Sequence, residues 1–187
     1  MANILNAAVA GTSITSDNTD ALNIQTAGTT AISITSGQAV TFAKQLSLAS
    51  TSSQIGALLQ GAVETITVSA TAATGTISYD VTTQSVLYYT SNASANWTVN
   101  FRASSGTSLN TAMSTGQVLT CVFMVTNGTT AYYNSAVQVD GSSVTPKWLG
   151  GSAPTAGNAS SIDVYTYSII KTGSAAFTVL ASQSRYA

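Results

Sequence analysis

Carboxylates are the side chains in this sequence most able to do acid–base chemistry. The sequence contains six of them: Asp17, Asp20, Glu64, Asp80, Asp140 and Asp163. Glycoside hydrolysis uses two carboxyl groups that converge on one bond, whereas these six are dispersed along the chain. The sequence has no histidine, which excludes a Ser-His-Asp triad, a Cys-His pair and a histidine metal site. We therefore predict a protein that is not an enzyme, with no catalytic and no cofactor-binding residues.

Oxygen ligands for a metal ion are concentrated in one segment, SDNTD at residues 16–20. Calcium binds clustered carboxylate and amide oxygens of this kind. Asp and Asn side chains in short polar segments also bond to their own backbone and form turns. We interpret the segment as a polar turn and predict no metal site.

Aromatic side chains are the other candidates for a binding site, because their flat apolar faces can stack on sugar rings. Core packing is the expected role for most of them. Trp148 is the best candidate for exposure, since it stands beside Lys147 and the flexible pair Gly150-Gly151. We assign Trp148, Lys147 and Tyr133 to a candidate surface-recognition site.

The low charge of the chain excludes several kinds of partner. Charged residues make up 6% of the sequence, against about 25% in a typical soluble domain. The five basic residues are scattered, so the chain has no cluster that could neutralise phosphates or attach to an anionic membrane. We predict no nucleic-acid partner and no membrane partner. The single cysteine, Cys121, lies in the apolar run VLTCVFMV and is predicted to be buried.

Residues 1–50 repeat a short, almost uncharged pattern in which isoleucines recur every ten residues. Apolar residues alternate with polar ones in this region, which predicts short β-strands separated by turns. Strands this short bury only one narrow row of apolar side chains each, and such repeats become stable when copies associate. We predict a trimeric stalk or base, in which the self-association core consists of Ile14, Leu22, Ile24, Ile32, Ile34, Val40 and Phe42.

Residues 51–62 and 63–187 complete the predicted organisation. The segment TSSQIGALLQGA at 51–62 has helical apolar spacing and is predicted to be a short helical linker. Residues 63–187 are rich in Val, Ile, Thr and Tyr, and they predict about seven strands in a β-sandwich head of jelly-roll-like form. The stretch GTISYDVTTQSVLYYT is predicted as one strand, and Asn127-Gly128 and Asp140-Gly141 predict hairpin turns. The fold class is therefore all-β.

Three strings in the second half carry a resemblance to a known group of proteins: TNGTTAYYNSAVQVDG, VTPKWLGGSAPTAGNASSIDVYTYSIIKTG and FTVLASQSRYA. They resemble a recurring C-terminal module of tailed-bacteriophage virion proteins, found in marine and freshwater phages. The repeat at the front similarly resembles the shaft and base segments of phage fibre proteins. The resemblance implies a homotrimer that forms a fibre, a spike or a decoration of the particle. It implies no catalytic residues.

The preferred hypothesis is a structural protein of the virion, assembled in the cytoplasm of the host bacterium. Residues 1–50 would attach it to other virion proteins of the capsid or tail, and the head would point outward. A short fibre and a capsid decoration protein remain open. The alternative is a receptor-binding module that adsorbs to a glycan of the host surface through loops 104–116 and 142–161. A depolymerase is disfavoured by the scarcity of acids and the absence of histidine.

Overall fold

A computed structural model describes residues 12–16, 22–34, 40–42 and 61–187. The chain divides into two compact units, Met1–Gly61 and Ala62–Ala187. Nearly all regular structure in the described ranges is β-strand, so the predicted all-β class is confirmed. The helical linker predicted over 51–62 and the polar turn predicted at 16–20 lie almost wholly outside the described residues.

In its described parts, the first unit contains an antiparallel sheet of four short strands in the order β1-β2-β3-β4. The strands are β1 Thr12–Ser16, β2 Leu22–Thr26, β3 Thr29–Ile34 and β4 Val40–Phe42. Ala27 and Gly28 join β2 to β3 with φ angles of 50° and 77°. Two consecutive residues with positive φ form the tight turn whose twist suits a hairpin.

The register of this sheet aligns the seven positions of the predicted self-association core. One cross-strand row contains the positions of Ile14, Ile24, Ile32 and Phe42, and the neighbouring row contains those of Leu22, Ile34 and Val40. Residues that pair across antiparallel strands share a face of the sheet. Of the side chains that are described, Ile32 and Ile34 are partly exposed and Val40 is 51% exposed. These three apolar side chains are therefore incompletely buried within one chain.

The second unit, described without gaps from residue 61, is built from two sheets. Its strands are β5 Ile66–Ala72, β6 Gly75–Asp80, β7 Val86–Ser91, β8 Trp97–Arg102, β9 Val118–Thr126, β10 Asn134–Val139, β11 Ser142–Val144, β12 Lys147–Trp148, β13 Ile162–Gly173 and β14 Ala176–Tyr186. One short helix, α1 Leu109–Ala112, precedes β9. The six-stranded sheet has the order β12-β14-β13-β9-β7-β5, and the four-stranded sheet has the order β11-β10-β8-β6.

From β5 to β10 the chain alternates between the two sheets. In consequence, β5, β7 and β9 pair in parallel in the six-stranded sheet, and β6, β8 and β10 pair in parallel in the four-stranded sheet. This pairing differs from a jelly roll, whose strands are antiparallel. Only the later pairs β10–β11, β9–β13 and β13–β14 are antiparallel.

Ten strands replace the seven predicted for this unit. The stretch predicted as a single strand over residues 75–90 contains both β6 and β7, which belong to different sheets. The turn between them has no Gly or Pro to mark it. It is stabilised instead by hydroxyl groups: Thr82 Oγ1 donates to the carbonyl of Ala103 at 2.7 Å and Thr83 Oγ1 to that of Asp80 at 2.8 Å.

One of the two predicted hairpins is confirmed and the other is wrong. Asp140 and Gly141, with φ angles of 52° and 79°, join the antiparallel strands β10 and β11. Asn127-Gly128 instead begins a crossover, because β9 and β10 lie in different sheets. The side chain of Asn127 is buried and donates to the carbonyl of Tyr132 at 3.1 Å and to the carboxylate of Asp163 at 3.2 Å. Together with the bond from the N–H of Tyr132 to Asn127 Oδ1, the bond to the carbonyl of Tyr132 closes the loop over residues 127–132.

Aromatic side chains fill the space between the two sheets. Trp97 on β8 meets Tyr165 on β13 edge to face, with ring centres 5.8 Å apart and planes at 86°. Phe101 on β8 meets Tyr167 on β13 at 5.0 Å. Edge-to-face pairs of this kind add about 1 kcal/mol each to the gain from burial. The core role expected for most aromatics is therefore confirmed for these four, which are fully buried.

Cys121 is buried in this core, as predicted, and burial raises the pKa of its thiol to about 12. About one thiol in 10⁴ is then ionised at pH 8, and the thiolate is the reactive form. We expect the native protein to resist a thiol-specific disulfide reagent at pH 8 and to release one equivalent of chromophore after denaturation. The exposed variant Ser78→Cys is the positive control. Rapid labelling of native Cys121 would contradict this account of the core.

Candidate functional site

Two clefts in the second unit meet at β12, and Trp148 lines both. The ring of Trp148 is partly buried and stands edge to face against Tyr165 and Tyr167, with ring centres 6.4 and 6.3 Å apart. The core thus fixes the orientation of the indole while part of its surface stays open. A rigid aromatic side chain at the wall of a cleft is a common anchor for a ligand.

The larger cleft has a volume of about 760 Å³ and lies between the edge of the four-stranded sheet and segment 145–154. A volume in this range suits a small organic ligand or a few sugar rings. The side chains that line it include Val137, Val144, Pro146, Lys147, Trp148 and Pro154. Lys147 is the one charged group among the lining residues. The cleft therefore offers apolar and hydroxyl surface and little electrostatic attraction.

Asn134 lines the same cleft, but its hydrogen bonds are already used inside the protein. Its Nδ2 donates to the carbonyls of Ala136 at 2.8 Å and Trp97 at 3.1 Å, and its Oδ1 accepts from the hydroxyl of Tyr167 at 3.0 Å. Burial, and then the neighbouring Tyr165, raise the pKa of Tyr167 well above its ordinary value. The hydroxyl thus stays protonated and keeps donating, so Asn134 holds β10 in place.

The smaller cleft, about 410 Å³, opens on the outward side of the six-stranded sheet. Leu180 and Ser168 lie opposite each other in the β13–β14 pair and form part of its floor. Leu149, which is 83% exposed, forms part of its wall. This cleft is more apolar than the larger one, and Lys147 is again the one charged side chain that lines it.

The structure brings two of the three predicted recognition residues together. Lys147 and Trp148 line both clefts, whereas Tyr133 lines neither. The backbone N–H of Tyr133 donates to Asn96 Oδ1 at 3.1 Å, and its carbonyl accepts from the N–H of Trp97 at 3.3 Å. Tyr133 therefore contributes to the connection that leads into β10.

The two predicted recognition loops do not share a cleft. Segment 142–161 contains β11 and β12 and supplies much of the larger cleft. Segment 104–116 contains α1 and borders a separate hollow of about 320 Å³ beside Arg102 and Asp140. These positions argue against a single ligand that contacts both loops.

Two charged side chains hold α1 at its ends. The carboxylate of Asp140 accepts from the backbone N–H groups of Leu109 at 2.6 Å and Asn110 at 2.9 Å. The ammonium of Lys171, which is buried, donates to the carbonyls of Asn110 and of Met113, the latter at 2.7 Å. Carboxylates suit the amide end of a helix and cations suit its carbonyl end. Asp140 and Lys171 are therefore structural groups.

Asp163 is a fully buried carboxylate at the base of the loop that leads from the clefts to β13. Its hydrogen-bond donors come from three separate parts of the unit: Asn127 Nδ2 at 3.2 Å, the backbone N–H and Nδ2 of Asn158 at 3.0 and 2.7 Å, Ser161 Oγ at 3.4 Å, and Gln183 Nε2 at 3.0 Å. A buried charge needs such compensation. The packing here is tight, because a Cβ on Gly157 would lie 2.0 Å from the carbonyl of Tyr132.

Sequence reasoning missed Asn134 and Asp163. Asp163 was counted among the dispersed acids, yet the sequence holds a signal for its role. In IDVYTYSII, Asp163 occupies the same alternate positions as Tyr165, Tyr167 and Ile169, all of which are buried. An acidic side chain at an inward-facing position of a strand needs several hydrogen-bond donors around it. No comparable local pattern marks Asn134, whose partners lie on other strands.

No protein-family model, no curated protein and no solved structure matches the chain. In the described ranges, no helix is long and apolar enough to cross a lipid bilayer. The same ranges contain no group of three or more potential metal-binding His, Cys, Asp or Glu side chains.

Asp163→Asn is expected to destabilise the second unit by about 2–5 kcal/mol, because an amide removes the charge and leaves buried donors without acceptors. Urea denaturation followed by tryptophan fluorescence measures this loss. Asp80→Asn is the matched control, since the Asp80–Arg102 ion pair is partly exposed and its loss should lower the midpoint much less. Equal midpoints for the two variants would contradict a central role for Asp163.

Proposed function

We propose that the chain is a non-enzymatic structural protein of a bacteriophage particle, a homotrimeric short fibre or capsid decoration protein. Residues 1–50 attach it to other virion proteins, and residues 63–187 are displayed outward. The proposal is supported by the resemblance of the second half to phage virion modules and by the low charge of the chain. Its place is the virion, after assembly in the host bacterium.

The observation that carries the proposal is the alignment of apolar positions in the first unit. Two adjoining rows of the β1–β4 sheet are apolar at every position but Ser16, and Ile32, Ile34 and Val40 remain partly open to solvent. A single thin sheet with one apolar face is marginal on its own. Copies of the same sheet around an axis supply the missing cover without bringing like charges together.

The non-enzymatic part of the proposal is supported by what the acids of the second unit do. Asp80 pairs with Arg102, with an Nε–Oδ1 distance of 2.5 Å. Asp140 binds the amide end of α1, and Asp163 holds the loop before β13. Glu64 Oε2 accepts from Ser85 Oγ at 3.2 Å. Each carboxylate has a separate structural partner, and none is paired with another carboxylate as in a glycosidase.

Ile34→Glu should weaken self-association of the full chain by at least about 10-fold, because a charge then enters the apolar rows. Ser33→Glu is the matched control, since Ser33 pairs with Asn23 and Thr41 in a polar row of the same strand. Analytical ultracentrifugation over a dilution series gives the mass and the dissociation midpoint. The expected wild-type mass is three times the 18.9 kDa of one chain. A wild-type protein that sediments as one chain would refute the trimer.

The location on the particle is tested directly by immunogold electron microscopy of phage particles that carry this gene. Label over the whole capsid in many copies supports a decoration protein, and label at the tail in few copies supports a fibre. Particles that carry no label, although the protein is present in the lysate, would refute a virion role.

A second candidate function is adsorption to a glycan of the host surface. The observation that favours it is the larger cleft, in which Trp148 is held rigidly beside hydroxyl-bearing and apolar side chains. Neutral sugars are recognised by this combination of an aromatic face and uncharged hydrogen-bonding groups.

Trp148→Ala should weaken competition of the soluble full chain against phage adsorption by at least about 10-fold, because stacking and anchoring surface is lost. Trp148→Phe should restore most of the effect, and Tyr133→Ala should change little, since Tyr133 lines neither cleft. Thermal unfolding of each variant separates lost binding from lost folding. Unchanged competition by a folded Trp148→Ala protein would remove this candidate.

A further inference from the structure

The outward side of the six-stranded sheet is uncharged on five of its six strands, and the part formed by β5, β7 and β9 is unusually apolar for a surface open to water. We call the outward positions of β5, β7, β9, β13 and β14 the outer sheet face. Val68 is 60% exposed and Val118 is 61% exposed, and Ile66 and Leu180 are also exposed. None of the outward positions on these five fully described strands carries a charge. Lys147, on β12 at the edge of the sheet, is the charged residue that adjoins this face.

The apolar residues of the outer sheet face are aligned across neighbouring strands. One cross-strand row contains Ile66, Val86 and Val122, and the next contains Val68, Tyr88, Met124 and Val164. The outward positions of β13 and β14 are more polar, since Thr166, Ser168, Ser182 and Ser184 are among them. On β7 and β9, however, most positions on both sides are apolar. Strands with apolar residues on both sides are typical of sheets that are covered on both faces.

The other sheet of the same unit shows that the fold does not require this pattern. The outward positions of β6 and β8 are polar, and Asp80 and Arg102 form their ion pair there. Ser78, Thr98 and Asn100 occupy the remaining positions at the centre of that surface. One sheet thus has the polar outer surface expected of an antiparallel or mixed sheet in water, whereas the β5, β7 and β9 part of the other sheet does not.

We propose that the outer sheet face packs against further copies of this chain. The proposal deepens the structural function proposed above, and it assigns to the second unit a self-association surface separate from that of residues 1–50. Two features favour identical copies. The face is uncharged, so equivalent faces meet without repulsion. Its size also matches what a specific interface needs.

The size follows from sheet geometry. The five strands of the face, each about 4.8 Å wide, cover about 24 Å, and the six and nine residues of β7 and β9 span about 20–30 Å. The flat area is then about 500–700 Å², and side-chain relief increases it. Specific protein–protein interfaces bury about 800 Å² on each partner. A smaller ligand, such as a sugar, would leave most of this apolar surface in water.

Thiol labelling of the full chain tests whether the face is covered. In one chain Thr120, on the outer sheet face, is more exposed than Thr98 on the other sheet. An open face therefore predicts faster labelling of Thr120→Cys than of Thr98→Cys. A face covered by another copy reverses this order, and we expect Thr120→Cys to label at least about 10-fold more slowly. Cys121 gives little background, because it is buried.

Charge substitution tests what covers the face. Thr120→Glu should weaken self-association by about 100-fold or more in sedimentation over a dilution series, because a carboxylate would be buried without a partner. Thr98→Glu places the same charge on the polar surface of the other sheet and should leave association unchanged. Far-ultraviolet circular dichroism confirms that each variant is folded. The labelling test needs no charged variant and stands if Thr120→Glu does not fold.

Slow labelling of Thr120→Cys, an assembled wild-type chain and a weakened Thr120→Glu variant together support the proposal. Three results overturn it. Fast labelling of Thr120→Cys shows an open face, and an assembled mass in that case leaves residues 1–50 as the association region. Slow labelling in a protein with the mass of one chain shows that another segment of the same chain covers the outer sheet face. A folded Thr120→Glu variant whose mass and dissociation midpoint equal those of the wild type shows that the face makes no contribution.

Discussion

The carboxylate of Asp163 is the interaction that fixes the cleft-bearing end of the second unit. Its donors belong to the loop after β9, to the loop before β13 and to β14, so one buried group joins segments that are distant in sequence. None of these donors is a cationic side chain, and the charge is balanced by amide and hydroxyl dipoles alone. Such an arrangement tolerates little displacement, because Asn127 and Ser161 are themselves buried and Gln183 also donates to the carbonyl of Ala156. The loop that carries Asn158 is therefore held at its C-terminal end. This restrains the segment before it, which forms a wall of the larger cleft.

Several of the few charged side chains in the second unit bind other parts of the same unit. Asp140 and Lys171 hold the two ends of α1, a helix of four residues that is too short to be stable by itself. Asp80 and Arg102 connect β6 to β8. Because these groups bind partners within the unit, Ser, Thr and aliphatic side chains make up most of the outward positions of the six-stranded sheet. This distribution explains how a low overall charge can coexist with well-defined local electrostatics.

The sequence predicted the all-β class and most of the strands, because alternation of apolar and polar residues is a local property. It predicted the Asp140-Gly141 hairpin for the same reason, since two residues set that turn. The parallel pairing of β5, β7 and β9 was not predictable, because it depends on which sheet each strand joins and no local pattern records that choice. Asn127-Gly128 was misread because the side chain of Asn127 is bonded to Asp163, a distant residue. For the site, the neighbouring glycines pointed to Trp148 beside Lys147, but its partial burial against Tyr165 and Tyr167 was not predictable, and Asn134 acts through contacts made only after folding.

Because the chain alternates between two sheets, folding of the second unit depends on pairing between strands that are distant in sequence. From β5 to β10 no strand pairs with its immediate neighbour in sequence, so every early pairing must close a long segment of chain. Closure of that kind costs entropy before any hydrogen bond is gained, and topologies dominated by distant pairings are slow to form. The hairpin of β13 and β14 is the one large local element, and it supplies the edge against which β9 aligns. A nascent chain that lacks this hairpin leaves one edge of the apolar strand β9 without its partner.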